Sequence, residues 1–499
     1  MKNTVKNNPC KDYKKLDYLQ FDMIDFWVNK NSKDKIMRYT PRPRQQEAID
    51  KIYEYVTNSK KNHGLFTYPT SFGKSIVIAE LASKFPNKYF INVTIGKELL
   101  KQNYEKYTSY GFEANLCSAS LKENSVGKVT FATIGTLVKH VDFFKNKDVV
   151  ILFDEAHEAS ATGSQLDKFL KQLKNYKLCG ITATPFRLSN GMEGSSLKMM
   201  NRDRGCIYKS IEDVVQIQEV VQQGYWSKLQ YKIIETDESS LVLNTTGSDF
   251  TDSSIEKYKQ DNNLLEQVVH EVNELVKEGR KSILISVPSI QDALDLEAKI
   301  DNCKAIYSGM DAKDRDNIIS AFKELKIRVI AQVKILTVGF DHPQLDGLIL
   351  AKPSNSLTFY YQFIGRLVRI HPLKQDGKVV CLSGNVKKFG KVEDITIENL
   401  TITKGWAVFS GETLLSNYPL NTLNRPTKQS LERKMINDAK KEQDSGVKFY
   451  FGKYKDKTVL QVMKENKSYL TWLLDQKEFN WYGEKGARLK KDIENKLGL

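Results

Sequence analysis

The stretch Tyr68–Ser75, reading YPTSFGKS, constrains this 499-residue chain more than any other. It lies between an apolar lead-in, Gly64, Leu65 and Phe66, and a helical-looking run from Ile76 to Leu81. A strand, a tight turn and a helix are expected in that order. Such a turn aims several backbone N–H groups at one anion, and the helix behind it adds its positive dipole end. Lys74 can reach outer phosphates, and the Ser75 hydroxyl suits a divalent cation. Pro69, Thr70, Ser71, Phe72 and Gly73 complete the candidate loop. Tyr68 departs from the small residue that usually opens such a pattern. It leaves the opening geometry to be explained, but not the Lys74 and Ser75 contacts.

Downstream, Asp148–Ser160 (DVVILFDEAHEAS) reads as a continuous apolar strand of the kind buried on both faces of a parallel sheet. It ends in Asp154, Glu155 and His157. Beside a phosphate loop, strand-end carboxylates have a specific use. Asp154 would hold Mg2+, and Glu155 would take a proton from the water attacking a γ-phosphate. The bland alternative is a loop of solvated charges.

Alternation of strands and helices surrounds these two stretches. Residues 88–102 read as strand, turn and helix, and Lys128–Leu137 as a strand ending near Thr133 and Thr136. Lys177–Arg187 is a strand ending in Thr182 and Thr184. Function at the carboxyl ends of alternating strands describes a doubly wound sheet. Upstream, Gln45 opens a helix with Ala48, Ile49, Ile52 and Val56 on one side. Arg42 and the Gln45 amide could read an adenine edge, or could simply start a surface helix. Residues 1–37 read as an amphipathic helical extension.

A Ser-, Thr- and Asp-rich stretch, about 236–262, marks a boundary, and a second alternation follows from residue 281. It has no GKS of its own. It does contain Phe359–Pro372, where Arg366 and Arg369 are expected one helical turn apart on a shared face. Of 76 basic residues only 14 are arginine, so arginine here asks for a reason. A rigid, always-charged fork facing γ-phosphate oxygens is one.

Taken together, these residues resemble a superfamily 2 helicase of the DEAH/DExH type, over about residues 38–400. RPRQQEAI resembles the glutamine motif, PTSFGKS motif I, TIGK and ATIGT motifs Ia and Ic, and DEAH motif II. TATP resembles motif III, LTVGFD motif V and QFIGRLVR motif VI. The flavour is closest to phage branch-migration helicases of the UvsW type and to helicase-like restriction subunits. The resemblance implies an α/β fold, with two tandem RecA-like doubly wound parallel-sheet domains (38–235 and 236–415) and ATP with Mg2+ at their interface. It implies that Gly339 and Asp341 approach the nucleotide, and that Gln362, Arg366 and Arg369 sense or stabilise the γ-phosphate. His157, Thr182 and Thr184 would couple hydrolysis to domain movement. Thr94, Lys97, Thr133 and Thr337 would meet nucleic acid.

After a linker (416–446), residues 447–499 are expected to form a small basic α+β module. Val447–Phe479 resembles a module at the C-terminus of some proofreading-type exonucleases and phage helicases. Its expected core is a β-hairpin turning at Lys455–Lys457, then a helix burying Leu460, Val462, Tyr469, Leu470, Trp472 and Leu473. Residues 421–499 hold 18 basic and 11 acidic side chains. Lys453 and Lys455, with Tyr454 and Lys457, form a basic patch with an aromatic suited to a nucleic-acid strand. Its acids show no metal-cluster spacing, so nuclease activity is not expected.

The formal net charge of +15 favours a polyanionic partner. The expected activity is an ATP-dependent DNA helicase or translocase, on single-stranded, forked or branched DNA with weak sequence preference. An RNA helicase, or a nucleic-acid-stimulated ATPase switch without strand separation, are the alternatives. No apolar run approaches the roughly 20 residues that span a bilayer, and the N-terminus lacks the apolar core of a secretion signal. The expected setting is therefore cytoplasmic (host cytoplasm if phage-encoded), as a monomer and without a membrane partner. The six cysteines are scattered without metal-ligand spacing and are expected as reduced, mostly buried thiols.

Overall fold

A computed structural model describes residues 39–191, 194–245, 247–333, 340–417, 425–444, 446–476 and 483–499. The expected N-terminal extension (1–37), Thr337 and Gly339 lie outside the described residues. The chain divides into two compact units. One runs to Glu398 and takes in Ala407–Gly411 and Leu415–Leu423. The other holds Asn399–Trp406, Glu412–Leu414 and Asn424–Leu499.

The first unit contains two largely parallel sheets. The larger has eight strands: β1 (His63–Thr67), β2 (Tyr89–Thr94), β3 (Asn115–Ser118), β4 (Glu123–Asn124), β5 (Val129–Thr133), β6 (Asp148–Asp154), β7 (Asn175–Thr182) and β10 (Ser210–Val214). At its edge β4 pairs with β3 antiparallel. A two-stranded antiparallel ribbon, β8 (Phe186–Gly191) and β9 (Gly194–Met199), lies outside it. The order β10-β1-β7-β6-β2-β5-β3-β4 puts β7 between β1 and β6. Their registers align Thr67 with Thr182, and Asp154 with Ile181. Three carboxyl ends therefore stand side by side, carrying the glycine loop, the TATP turn and DEAH. The apolar run of β6 forms the sheet centre because it has strands on both sides and is buried from Val149 to Asp154.

The second sheet comprises β11 (Leu229–Ile233), β12 (Ile283–Ser286), β13 (Cys303–Ile306), β14 (Val329–Gln332), β15 (Gly347–Leu350) and β16 (Gly377–Cys381). Its order is β11-β16-β15-β12-β14-β13, all parallel. Two expectations need correction here. The strand β11, left in the first domain by a boundary at 235, pairs with β16, so the crossing precedes it. The polar stretch 236–262 is not all loop, because Asp252–Asp261 is a helix capped by the Thr251 side chain. Tyr258 on that helix is fully buried in the domain core with Val268, Val272, Ile283 and Ile285.

The second unit contains helices Lys428–Asp444, Val459–Asp475 and Glu484–Leu497. The first of these occupies most of the expected linker. The expected hairpin is reduced to a single antiparallel bridge, Lys448 to Thr458. Thr458 then caps the next helix, accepting from Gln461 N. That helix kinks at Asn466, whose side chain accepts from Tyr469 N and restarts it. The core is Phe449, Tyr454, Val459, Val462, Leu470, Leu473, Leu489 and Ile493. Leu460 and Tyr469 are only partly buried, and Trp472 is 53% exposed rather than buried. At 100° per residue Trp472 falls well off the stripe formed by Val459, Val462, Leu470 and Leu473, which accounts for its exposure.

Five cysteines (Cys117, Cys179, Cys206, Cys303 and Cys381) are buried free thiols. Among the described residues no helix is long and apolar enough to cross a membrane.

Candidate nucleotide site between two parallel-sheet domains

The strand β1 ends at Thr67, and the loop begins with Tyr68. Tyr68 is fully buried, its ring stacked on Phe72 with centroids 5.0 Å apart. Its N–H donates to Thr182 O at 2.9 Å. An aromatic pair thus fills the space beneath the loop, which is why this chain tolerates a large residue there. Phe72 contributes packing, and Pro69 is buried beside it. Gly73 ends the turn in the left-handed region (φ 90°), directly before the helix Lys74–Lys84. A Cβ there would lie 2.3 Å from Gln45 Nε2, so only glycine fits. Ser71 is also left-handed (φ 60°), and its buried hydroxyl has no hydrogen-bond partner among the described residues.

Gln45 sits at the third position of the helix Pro43–Asn58, which begins two residues earlier than expected, on a proline. Its amide is spent within the protein. Nε2 donates to Phe72 O at 2.6 Å, and Oε1 accepts from Arg42 N at 2.9 Å. Gln45 therefore braces the loop. Arg42 lies with its guanidinium carbon 3.8 Å from the Tyr225 ring centre.

Lys74 Nζ donates to Glu155 Oε1 at 2.8 Å. Glu155 is itself left-handed (φ 52°), a costly conformation that lifts its carboxylate out of line with the strand. Asp154 is buried and accepts from Glu155 N at 3.0 Å and from Asn103 Nδ2 at 3.0 Å. Burial, offset in part by Lys74 and reinforced by Glu155, pushes Asp154 above the ordinary carboxylate range. Glu155 goes the other way. Burial acts to raise it, but Lys74, His157 and Arg366 together hold it below its ordinary value.

His157 links the pieces. Its Nδ1 lies 2.9 Å from Thr182 Oγ1, and its Nε2 lies 3.2 Å from Gln362 Nε2 of the second domain. Thr182 Oγ1 also accepts from Thr184 N at 3.0 Å. Both threonines are fully buried.

In the second domain, the helix Leu357–Ile364 ends before the arginines, so they do not share a helical face as expected. They meet by another route. Arg366 Nη1 and Arg369 Nη1 both donate to Phe340 O, at 3.0 and 3.1 Å. Arg369 Nη1 also pairs with Asp341 Oδ1 at 2.6 Å. Burial, together with Arg369, pulls Arg366 down to about 10, with Glu155 and Asp341 opposing. At neutral pH it stays charged.

The nucleic-acid candidates fall in different settings. Thr94 is fully buried and its hydroxyl donates to Gly96 O at 3.0 Å, so it shapes the turn rather than offering a contact. Lys97, the first residue of the helix Lys97–Thr108, is partly exposed. Thr133 is partly buried, 3.2 Å from Thr136 Oγ1. Lys453 and Lys455 are exposed in the second unit. Tyr454 is buried there, 4.7 Å from Tyr469, and is not free to stack on a base.

Asn103 escaped the sequence reading, although a signal exists. It falls on the buried stripe Leu100, Asn103, Tyr107 of its helix, and a polar residue on such a stripe needs a partner. Its partner is Asp154.

These residues fit a nucleoside triphosphate and Mg2+. Ser71 offers a buried, unspent hydroxyl, Gly73 a cradle without a Cβ, and Lys74 an ammonium. Ser75 and Asp154 form an oxygen-only donor set suited to a hard cation.

Comparisons with known proteins agree with this architecture. Residues 38–187 match the family described as type III restriction enzyme, res subunit, and residues 263–371 match the helicase conserved C-terminal domain. Residues 449–478 match the exodeoxyribonuclease X-like C-terminal family. The chain is 24% identical to a Saccharomyces cerevisiae protein named as an ATP-dependent helicase, IRC3, over 69% of this chain and 51% of that protein. It is 26% identical to a 51.5 kDa protein of a Lactococcus phage, over 60% of this chain and 61% of the other. The chain thus spans about half to three fifths of these relatives. Among solved structures it resembles the type ISP restriction-modification enzyme LlaBIII bound to DNA (TM-score 0.52, 14% identity, 70% of this chain and 28% of that one). It also resembles an HsdR-subunit fragment of a type I restriction enzyme from Vibrio vulnificus (TM-score 0.52, 17% identity, 71% of this chain and 66% of that one). The two tandem RecA-like domains thus carry a match to the type III restriction enzyme res-subunit family and a match to the helicase conserved C-terminal domain, a pairing similar to that of superfamily 2 helicases.

Proposed function

We propose that this chain is an ATP-driven DNA translocase or helicase, in which hydrolysis opens and closes the cleft between the two RecA-like domains. The observation that carries the reading is the series of contacts Lys74–Glu155 (2.8 Å), Glu155–His157 (3.5 Å, an ion pair when His157 is protonated) and His157–Gln362 (3.2 Å), which joins the phosphate loop of one domain to the helix Leu357–Ile364 of the other. A nucleotide that drew Lys74 away from Glu155 would free that carboxylate and disturb the link.

Within this reading each group has a task. Lys74 and the loop from Pro69 to Gly73 hold phosphates, and Ser75 and Asp154 hold Mg2+. The bound ATP and Mg2+ supply the phosphoryl group and neutralise part of its charge. Glu155, kept ionised by its neighbours, accepts the proton of the attacking water. Arg366 and Arg369 would exchange the Phe340 carbonyl for γ-phosphate oxygens, with Asp341 beside Arg369. Gln45 braces the loop from the side on which Arg42 would approach the base. His157, Thr182, Thr184 and Gln362 transmit the change. Lys97, Thr133 and Thr337 grip a strand through its backbone, as do Lys453 and Lys455, which gives weak sequence preference and steep salt dependence.

DNA is preferred over RNA because both solved restriction-enzyme relatives share the fold, one of them bound to DNA. Branched intermediates are the favoured substrates, on the sequence likeness to phage branch-migration helicases. The test is ATP turnover and strand displacement on single-stranded, forked and four-way DNA and on RNA, side by side. Turnover stimulated at least tenfold by DNA, with displacement of a forked strand, supports the proposal. Equal or greater stimulation by RNA, or turnover without displacement on every substrate, would overturn the DNA-helicase reading.

A further inference from the structure

Thr70, the third residue of the glycine loop, is held from outside its own domain. Its carbonyl accepts from Trp226 Nε1 at 3.0 Å, and its N–H donates to the Tyr361 hydroxyl at 3.4 Å. Both rings are buried, Trp226 at 5% exposure and Tyr361 at 2%. On the remaining side, a Cβ at Gly365 would come within 2.7 Å of Thr70 Oγ1, so the turn before the arginines touches this residue closely.

Trp226 belongs to the short segment between the helix Ile217–Gln222 and β11, where the chain crosses from one sheet to the other. The next residue, Ser227, donates its N–H to Val368 O at 2.7 Å, between the two arginines. Adjacent linker residues therefore hold the phosphate loop and the arginine segment. Tyr361 adjoins Gln362, the partner of His157.

The loop needs such support. Ser71 and Gly73 both adopt left-handed backbone within three residues of Thr70, and a non-glycine residue holds that conformation only when its surroundings impose it.

We propose that Trp226 and Tyr361 are positioning residues that clamp the two peptides flanking Thr70, so that the loop's anion-facing amides are set by the second domain and the linker. Nucleotide affinity then depends on how those parts sit, before any chemistry occurs. This inference rests on the nucleotide-site reading above and adds to it the regulation of the loop.

The test titrates the full-length chain with a fluorescent N-methylanthraniloyl ADP, comparing wild type, Trp226→Phe, Tyr361→Phe and the double variant. Each substitution keeps a buried ring and removes one hydrogen-bonding group. Each single variant should lose affinity about fivefold, the scale of one net hydrogen bond. The double variant should lose less than the product, because both groups hold the two peptides that meet at the Thr70 Cα. Affinities within twofold of wild type, with or without a lower melting midpoint, would make the contacts structural only and overturn the clamp, while leaving the motor reading intact. Fully multiplicative losses would also overturn it. If wild type binds the nucleotide but never hydrolyses ATP, a fivefold loss in the variants still supports the clamp and the motor reading fails. A wild-type chain that binds no nucleotide overturns both. Should Trp226→Phe not fold, Tyr361→Phe decides alone by the same criterion.

Discussion

In the first domain, Lys74, Asp154 and Thr182 stand at or just beyond the carboxyl ends of three neighbouring strands, β1, β6 and β7. Their positions follow from strand register and from three residues in left-handed backbone, Ser71, Gly73 and Glu155. In the second domain, Arg366 and Arg369 stand beyond the end of a helix and converge on one carbonyl, Phe340 O. One half of the site is therefore set mainly by strand register and backbone conformation, with hydrogen bonds from Gln45, Trp226 and Tyr361 bracing the loop. The other is set by hydrogen bonds that can be exchanged for others of similar strength. A site that must bind, react and release gains from this division, because the groups that move are the ones held by replaceable contacts.

Substitutions on the two sides should differ in kind, which gives ways to break or sharpen this contrast. The largest effect is expected at Glu155→Gln. Turnover should fall by about three orders of magnitude with nucleotide affinity retained, on the scale of a lost general base. Steady-state turnover and equilibrium binding read the two quantities separately, and turnover near wild type would remove Glu155 from the role of base. Arg369→Ala should follow, with turnover down by about 100-fold, less than for a full arginine finger because Asp341 already shares its charge. DNA affinity, read by anisotropy, should stay within about threefold. Gln362→Ala cuts the contact to His157 and should lower DNA-stimulated turnover about tenfold while unstimulated turnover changes by less than about threefold. Equal losses in both would argue for misfolding of the site rather than lost coupling. The smallest effect belongs to the second unit. Replacing Lys453 and Lys455 with alanine should weaken single-strand binding by about fivefold and reduce the logarithmic salt slope by about 1.4.

The same contrast explains what could be read from sequence. The glycine loop and DEAH were legible because their residues act within a few positions of a buried strand end, where spacing fixes geometry. The two parallel sheets were legible from runs such as VVILF in β6, since only a strand covered on both faces is apolar throughout. Arg366 and Arg369 were legible as a pair but not as placed. The helix ends at Ile364, and their meeting point, Phe340 O, is more than 20 positions away. Gln45 suggested base reading because its amide has the right groups, yet the fold spends them on Arg42 N and Phe72 O. Trp472 was expected in the core as a large apolar ring, yet its helical position lies off the stripe of Val459, Val462, Leu470 and Leu473. The strand β11 was assigned to the wrong sheet because the polar stretch after it signals a boundary more strongly than the crossing before it. Long-range contacts of this kind leave no local pattern.

The account rests on both domains contributing to one nucleotide site, and Arg366→Ala tests it most directly, because Arg366 is half-buried against Phe340 O in the second domain yet lies within electrostatic reach of Glu155 in the first. Turnover at saturating ATP and DNA should fall at least 100-fold, with the affinity for fluorescent ADP changed by less than about threefold. Turnover within twofold of wild type would contradict the account.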